Sequence, residues 1–357
     1  MWKSEEGSTA RLIQLCIGYF VFYVITGITV KYFTEFPTRD LSPMNSMEYL
    51  VYNTLGGNFI ALLVVFALKW YKFPADRLVK LGPISMPYQF LYIIPSGLFT
   101  AVIIPTTTLM YMLPISVMVA MVIMRGSVIV IGRIVDAIQI KQGILKKRVY
   151  WEENVAVIFA ILAVAVNLVS LKPGSFDFVN SPAAVGILTA YLCAYSFRIY
   201  IMNYYKNTAG KNVKQDNKSF FAIEQISASI FMIMITAFVF YVLGNNTHVP
   251  EIAAFKSAIE DPKPLWYWAT VSGLAFGMVA FFSVFIFMFK GRTATFAGLV
   301  NRLTSLVAGT AATLVFAFSF GGKYPTTEDW GTLGFILVAV YFLTRAEKKR
   351  TKELHIA

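Results

Sequence analysis

Residues Val122–Arg133 read VIMRGSVIVIGR, and Arg125 stands inside an apolar run that extends from near Ile115 to Val135. A charge at the centre of a membrane span costs about 2.5–3.5 kcal/mol on insertion scales. Whether this run is a span decides the fold, and the rest of the chain answers. Of its 357 residues 57% are hydrophobic and only 14% charged, with a mean hydropathy of +0.63; in a soluble domain roughly a quarter of the residues are charged. Apolar runs of roughly 20 residues, the length that crosses a bilayer, recur along the chain and leave no sizeable soluble domain between them. The fold class is an all-α polytopic membrane protein.

Ten spans are expected, at 12–30, 46–68, 88–112, 114–135, 153–171, 182–205, 220–243, 265–289, 293–318 and 328–344. Turn chemistry separates them: TEFPTRDLSP, KFPADRLVKLGP, LKPGSF, KNTAGKNVKQDNK and GGKYPTTED. Spans three and four almost touch, with only Leu113 before Pro114, and Pro105 is expected to kink span three. The first stretch, 12–30, lacks a small-residue cleavage site and reads as a retained helix. Cys16 and Cys193 both fall inside spans and indicate neither a disulfide nor a metal site.

The basic residues test the count. Twenty-two of the 31 lysines and arginines lie in the N-terminus, the even-numbered loops and the C-terminus, with Arg133 counted at the loop end of span four; six lie in the odd-numbered loops. The other three, Arg125, Arg198 and Arg302, are inside spans. Positive charge collects on the cytosolic side, so both termini are expected there. The net charge of +12 then reflects topology and anionic lipid rather than nucleic acid.

Ten spans divide into two halves of five, 1–175 and 176–357, and an odd number forces the second half into the opposite orientation. Such inverted repeats are a common transporter architecture with a midplane site. Local matches are few. MRGSVIV in span four holds Arg125 and Ser127; NRLTSLV in span nine holds Arg302 and Thr304. An acid follows each arginine by 27 residues, Glu152 and Asp329, where a carboxylate suits a helix N-terminus.

Arg125 is about 11 residues from either end of its span and Arg302 about nine from the cytosolic end, too deep at ~1.5 Å per residue to snorkel. Arg198 is closer to an end. No Asp or Glu falls mid-span by these boundaries; Glu48, Glu153 and Glu224 sit in first turns. Deep cations without deep anions suit a wet cavity that receives an anionic solute, because guanidinium matches carboxylate and phosphate bidentately. Tyr191, Tyr195 and Arg198 share a helical face by their spacing of four and three, and Asn53 in span two and Asn301 beside Arg302 are further candidates, along with Tyr52, Thr54 and Asn58. Carbonyl binding or helix contact by the arginines, and an interfacial belt for the tyrosines, are the bland alternatives. Gly126, Gly132, Gly298, Gly309, Gly331 and Gly334 allow close packing of spans four, nine and ten.

The layout resembles the drug/metabolite transporter superfamily, in particular its nucleotide-sugar-transporter-like and chloroquine-resistance-transporter-like branch. Two stretches carry the resemblance: TTLMY with MRGSVIV (Thr107–Tyr111, Met124–Val130), and GLVNRLTSLVAG (Gly298–Gly309), which is similar to a GALNK…G motif. It implies ten helices as two inverted five-helix repeats, with Asn301 and Arg302 facing the substrate. Arginine stands where that motif has lysine, and span seven, FFAIEQIS, lacks the FYNN of guanine-nucleotide carriers. The cargo is left unnamed.

The expected function is secondary transport of a small anionic or zwitterionic organic solute, by exchange or equilibration since no proton-relay carboxylate is evident. The alternative is a non-transporting scaffold or receptor. An enzyme is not expected: His248 and His355 fall in a loop and the tail, and there is no HExxH, buried Asp pair or serine elbow. No cofactor or metal is called for. Partners are the solute, the bilayer and, as an option, a second copy of the chain. Asn245-Asn246-Thr247 is a glycosylation sequon in a non-cytosolic loop, which suits a eukaryotic endomembrane; a bacterial inner membrane fits equally.

Overall fold

The computed structural model describes residues 9–35, 43–73, 77–145, 149–169, 176–208, 216–244, 248–287, 289 and 294–356. The helices are α1 (Thr9–Glu35), α2 (Ser46–Ala67), α3 (Phe90–Met112), α4 (Val117–Lys141), α5 (Trp151–Val169), α6 (Pro182–Thr208), α7 (Asn217–Phe238), α8 (Pro250–Glu260), α9 (Trp266–Phe287), α10 (Ala294–Phe320) and α11 (Thr327–Ile356). A π-helical turn, Val239–Leu243, continues α7. Among the described residues eight helices are long and apolar enough to cross a membrane: α1, α2, α3, α4, α6, α7 with its π turn, α9 and α10. Their outer faces expose large apolar side chains such as Phe59, Ile233, Phe238 and Phe318. Water would not tolerate so much apolar surface on a monomer, whereas lipid does.

Two elements were not expected. The segment before α3 forms an antiparallel hairpin, β1 (Leu78–Leu81) with β2 (Ile84–Pro87), pairing Val79 with Met86 and Lys80 with Ser85; Gly82, at φ 61°, makes its turn. The stretch read as loop before α9 holds α8, started by Pro250 at its first position, and Tyr52 of α2 donates to the Ala258 carbonyl, 2.9 Å away.

Capping sets the ends of the long helices. Asn45 starts α2 in a reciprocal box, accepting from Met47 N at 2.8 Å while Glu48 accepts from Asn45 N at 3.2 Å. Ser116 starts α4 by accepting from Val119 N, so that helix begins at Val117 rather than at Pro114, and it runs on to Lys141. Asp216 starts α7, accepting from Lys218 N and Ser219 N, three residues before the expected start. α3 continues through both Pro95 and Pro105.

α2 lies on α9, α3 on α7, α1 on α10 and α9, α6 on α3 and α4, α4 on α5 and α10, and α5 on α11. The α2–α9 crossing is a backbone contact. A Cβ on Gly56 would sit 1.8 Å from the Thr270 carbonyl oxygen, and one on Gly273 would sit 2.1 Å from that of Asn53. Small residues at a crossing let dispersion hold helices that lipid does not push together. On α10, Gly309 packs against Met121 of α4, as close packing of those spans requires, whereas Gly331 and Gly334 face open space. Asp329 caps α11 reciprocally with Thr326. Its sequence counterpart Glu152 instead pairs with Lys349, and with Arg345 at 3.6 Å, tying α5 to α11.

Candidate functional site

Arg125 is the ninth residue of α4, 5% exposed. Its Nη2 donates to the Tyr23 hydroxyl at 2.5 Å and makes a long contact of 3.5 Å with that of Tyr19; Nη1 is 3.5 Å from the Tyr195 hydroxyl. The guanidinium carbon lies 5.6 Å from the centre of the Tyr23 ring, close enough for the ring quadrupole to attract the cation. Tyr23 in turn shares a hydrogen bond of 2.7 Å with Tyr111. Nε has no partner among the described residues, and none of their carboxylates pairs with this arginine. Phenolic oxygens hold the group in place without cancelling its charge, and a buried unpaired cation costs several kcal/mol.

A cavity of about 60 Å³ opens beside it. α1 contributes Tyr19 and Tyr23, α4 Arg125, α6 the Tyr191–Tyr195–Arg198 face, α3 Thr100 and Thr107, α7 Gln225, and α9 Ser283. The four-and-three spacing on α6 therefore does bring three candidates to one wall. Tyr191 is 1% exposed and its hydroxyl has no partner among the described residues; its ring sits 5.1 Å from that of Tyr195.

Arg198 also lines the cavity, but its charge is answered. Nε donates to Glu224 Oε1 at 2.9 Å and Nη2 to Oε2 at 2.8 Å. This corrects the expectation that no acid lies deep: the Asp216 cap starts α7 early, Glu224 becomes its eighth residue, and it is 1% exposed.

Arg302 is placed elsewhere. It does not line the cavity. Its Nη2 lies against Gly132 of α4, where a Cβ would approach to 2.9 Å. Tyr195 of α6, and after it Asp136, brought into α4 by that helix's longer C-terminal end, act electrostatically on it, while its Nε has no hydrogen-bond partner among the described residues.

The other candidates divide. Asn301 is fully buried behind the wall, accepting from Tyr19 at 3.4 Å and donating to Ser283 at 3.1 Å, so it holds two lining residues without reaching the cavity itself. Thr304 spends its hydroxyl on the Val300 carbonyl, and Ser127 is half-buried outside the cavity. Asn53 lies in the α2–α9 seam, donating to Tyr49, which bonds Ser272. Asn58 accepts from Gln225 and Ser229. The sequon 245–247 and Gly298 lie outside the residues whose side-chain surroundings are described.

Tyr19, Tyr23, Glu224 and Gln225 were missed by sequence reasoning. The signals were present: two tyrosines four apart in an apolar helix, and an Asp–Asn–Lys–Ser start before FFAIEQ.

No protein-family model matches the sequence, and no curated protein matches it. Among solved structures the chain is similar to one described only as "Crystal structure of protein", with a TM-score of 0.53 and 13% identity over 96% of this chain and 99% of that one. At that identity the likeness concerns the fold alone, and it runs end to end.

Proposed function

We propose that this protein is a secondary transporter of a small anionic or zwitterionic organic solute, working by alternating access, with ten spans as two inverted five-helix repeats and both termini in the cytosol. The observation that carries the reading is Arg125: buried in a cavity, surrounded by phenolic hydroxyls, and without a carboxylate among the described residues. Intramembrane charge marks a solute path by default, and a guanidinium held by neutral acceptors keeps its charge for an incoming anion.

The helix pairings support the repeat. If α1–α5 are exchanged with α6, α7, α9, α10 and α11, the α2–α9 contact becomes α7–α3, α1–α10 becomes α6–α4, α3–α6 becomes α9–α1, and α5–α11 maps onto itself; each of these contacts is present. The resemblance to the drug/metabolite transporter superfamily points the same way. A cavity of about 60 Å³ is far smaller than the roughly 300–1,000 Å³ of a ligand pocket. A solute therefore enters only when helices part, which is what alternating access provides.

The test is uptake into liposomes from a panel of carboxylates, sugar phosphates and amino acids by wild type and Arg125→Gln. A solute taken up by wild type and lost with the variant, while the variant stays folded, is the expected result. Normal uptake by the variant removes the assignment, and absence of uptake by wild type favours a scaffold or receptor. For topology, single cysteines at Lys146 and Lys211, in a chain lacking Cys16 and Cys193, are expected to react with an impermeant maleimide only from the cytosolic side; labelling from outside overturns the orientation.

A further inference from the structure

Arg198 stands between the cavity, which it lines, and Glu224 directly behind it. The carboxylate is gripped by the guanidinium fork at 2.9 and 2.8 Å and also accepts from the Ser96 hydroxyl at 2.6 Å. A carboxylate or phosphate entering the cavity offers Arg198 the same bidentate geometry that Glu224 does. One fork cannot serve both.

We propose that Glu224 is a proton-binding site that couples solute passage to proton movement, with Arg198 passing between Glu224 and the anionic group of the solute. The idea rests on the transporter reading and replaces passive equilibration with coupled transport. When the solute takes Arg198, Glu224 is left buried with one hydroxyl donor. A carboxylate without a counter-ion in such a place takes up a proton rather than remain charged. When the solute leaves, the proton leaves and the ion pair re-forms. One proton travels with each anionic group, and no other atom changes hands.

Among the described residues Glu224 pairs with no cation but Arg198. α3 and α9, packed against α7, carry no charged residue, and α2 carries only Glu48, which caps its far end. α7 itself adds Lys218 in its first turn, and α6 adds Arg198 and, in its last turn, Lys206. The tyrosines of α3 are turned elsewhere, Tyr92 onto Tyr204 and Tyr205, and Tyr111 onto Tyr23. On α2, Tyr49 bonds Ser272 and Tyr52 bonds Ala258. Tyr267 of α9 and Tyr241 of the π turn are exposed, while Tyr195 and Tyr191 lie beyond Arg198 on the same α6 face.

Two measurements on the purified full chain test this. In the infrared, Arg198→Gln at neutral pH is expected to show the carbonyl stretch of a protonated carboxyl, absent from wild type and from Arg198→Gln/Glu224→Gln. A spectrum in which that band is missing overturns the proposal. In weakly buffered solution, benzoate and lactate serve as probes that stay ionised throughout. Wild type is expected to take up about one proton per bound probe, with affinity rising about tenfold per unit fall in pH. Glu224→Gln is expected to bind the probe without proton uptake and with a flat pH profile. A purely structural ion pair would lower the melting temperature of that variant and leave the proton count of wild type at zero. Binding without proton uptake overturns the coupling alone; binding of neither probe counts against the anion site and takes the coupling down with it.

Discussion

Arg125 and Arg302 occupy matching places in two similar stretches of sequence, and the molecule treats them differently. Around Arg125, α1 and α6 supply tyrosine hydroxyls, and a cavity opens beside the guanidinium. Around Arg302, α4 supplies Gly132, whose missing side chain makes room for the guanidinium, and Tyr195 and Asp136 act on its charge. The Arg125 guanidinium meets phenolic hydroxyls beside the cavity; that of Arg302 is half-buried outside that cavity, against Gly132. Matching places in the sequence therefore did not give matching surroundings. The neighbouring helices decided which guanidinium lines the cavity and which lies against Gly132 of α4.

The largest effect should come from breaking the contrast at Arg125. Truncating one partner of a buried charged contact costs about 2–5 kcal/mol, so Arg125→Gln should weaken solute binding at least about 30-fold. Arg302→Gln should change affinity by no more than about threefold while lowering the melting temperature. A comparable loss of affinity in both variants, measured by calorimetry, would mean that the two sites share the solute.

Gly132→Val sharpens the structural side. Its side chain would enter the space held by the flexible end of Arg302, so the loss should fall at the low end of the about 1–3 kcal/mol that overpacking costs. The loss should shrink when Arg302→Ala is added, because the double variant removes the clash; additive losses in thermal unfolding would place Arg302 elsewhere. The smallest effect belongs to Tyr191. Its buried hydroxyl lacks a partner among the described residues, a state that is unfavourable by about 1–3 kcal/mol. Tyr191→Phe should therefore leave the empty protein as stable or slightly more so, yet weaken solute binding. A less stable empty protein would reveal a partner for the hydroxyl.

Much of the fold was legible because bilayer thickness and backbone satisfaction demand long apolar helices; eight of the ten expected spans coincide with helices long and apolar enough to cross a membrane, while those at 153–171 and 328–344 coincide with α5 and α11, which are helical but not among the eight. The hairpin at 78–87 and α8 were hidden by their shortness, since four-residue strands and an 11-residue helix fall well under the length of a span. At the site, the α6 face followed from helical period alone, so Tyr191, Tyr195 and Arg198 were found together. Glu224 was misjudged by three residues of helix start: a cap at Asp216 turns a first-turn acid into a buried one. Asn53 was picked for polarity, Thr304 for its place two residues after an arginine and Asn301 also for the motif it resembles, and none of these says which seam a residue enters.

The amino-acid sequence by itself determined the class of protein, the placement of its long helices and the presence of three deep arginines, since these depend on local hydropathy and period. Only the tertiary structure decided that Arg125 is left with tyrosines, that Arg198 has a carboxylate behind it, and that Arg302 rests on a glycine. Charge compensation in a low-dielectric interior is settled by side chains from helices far apart in the chain, and no single helix carries that information.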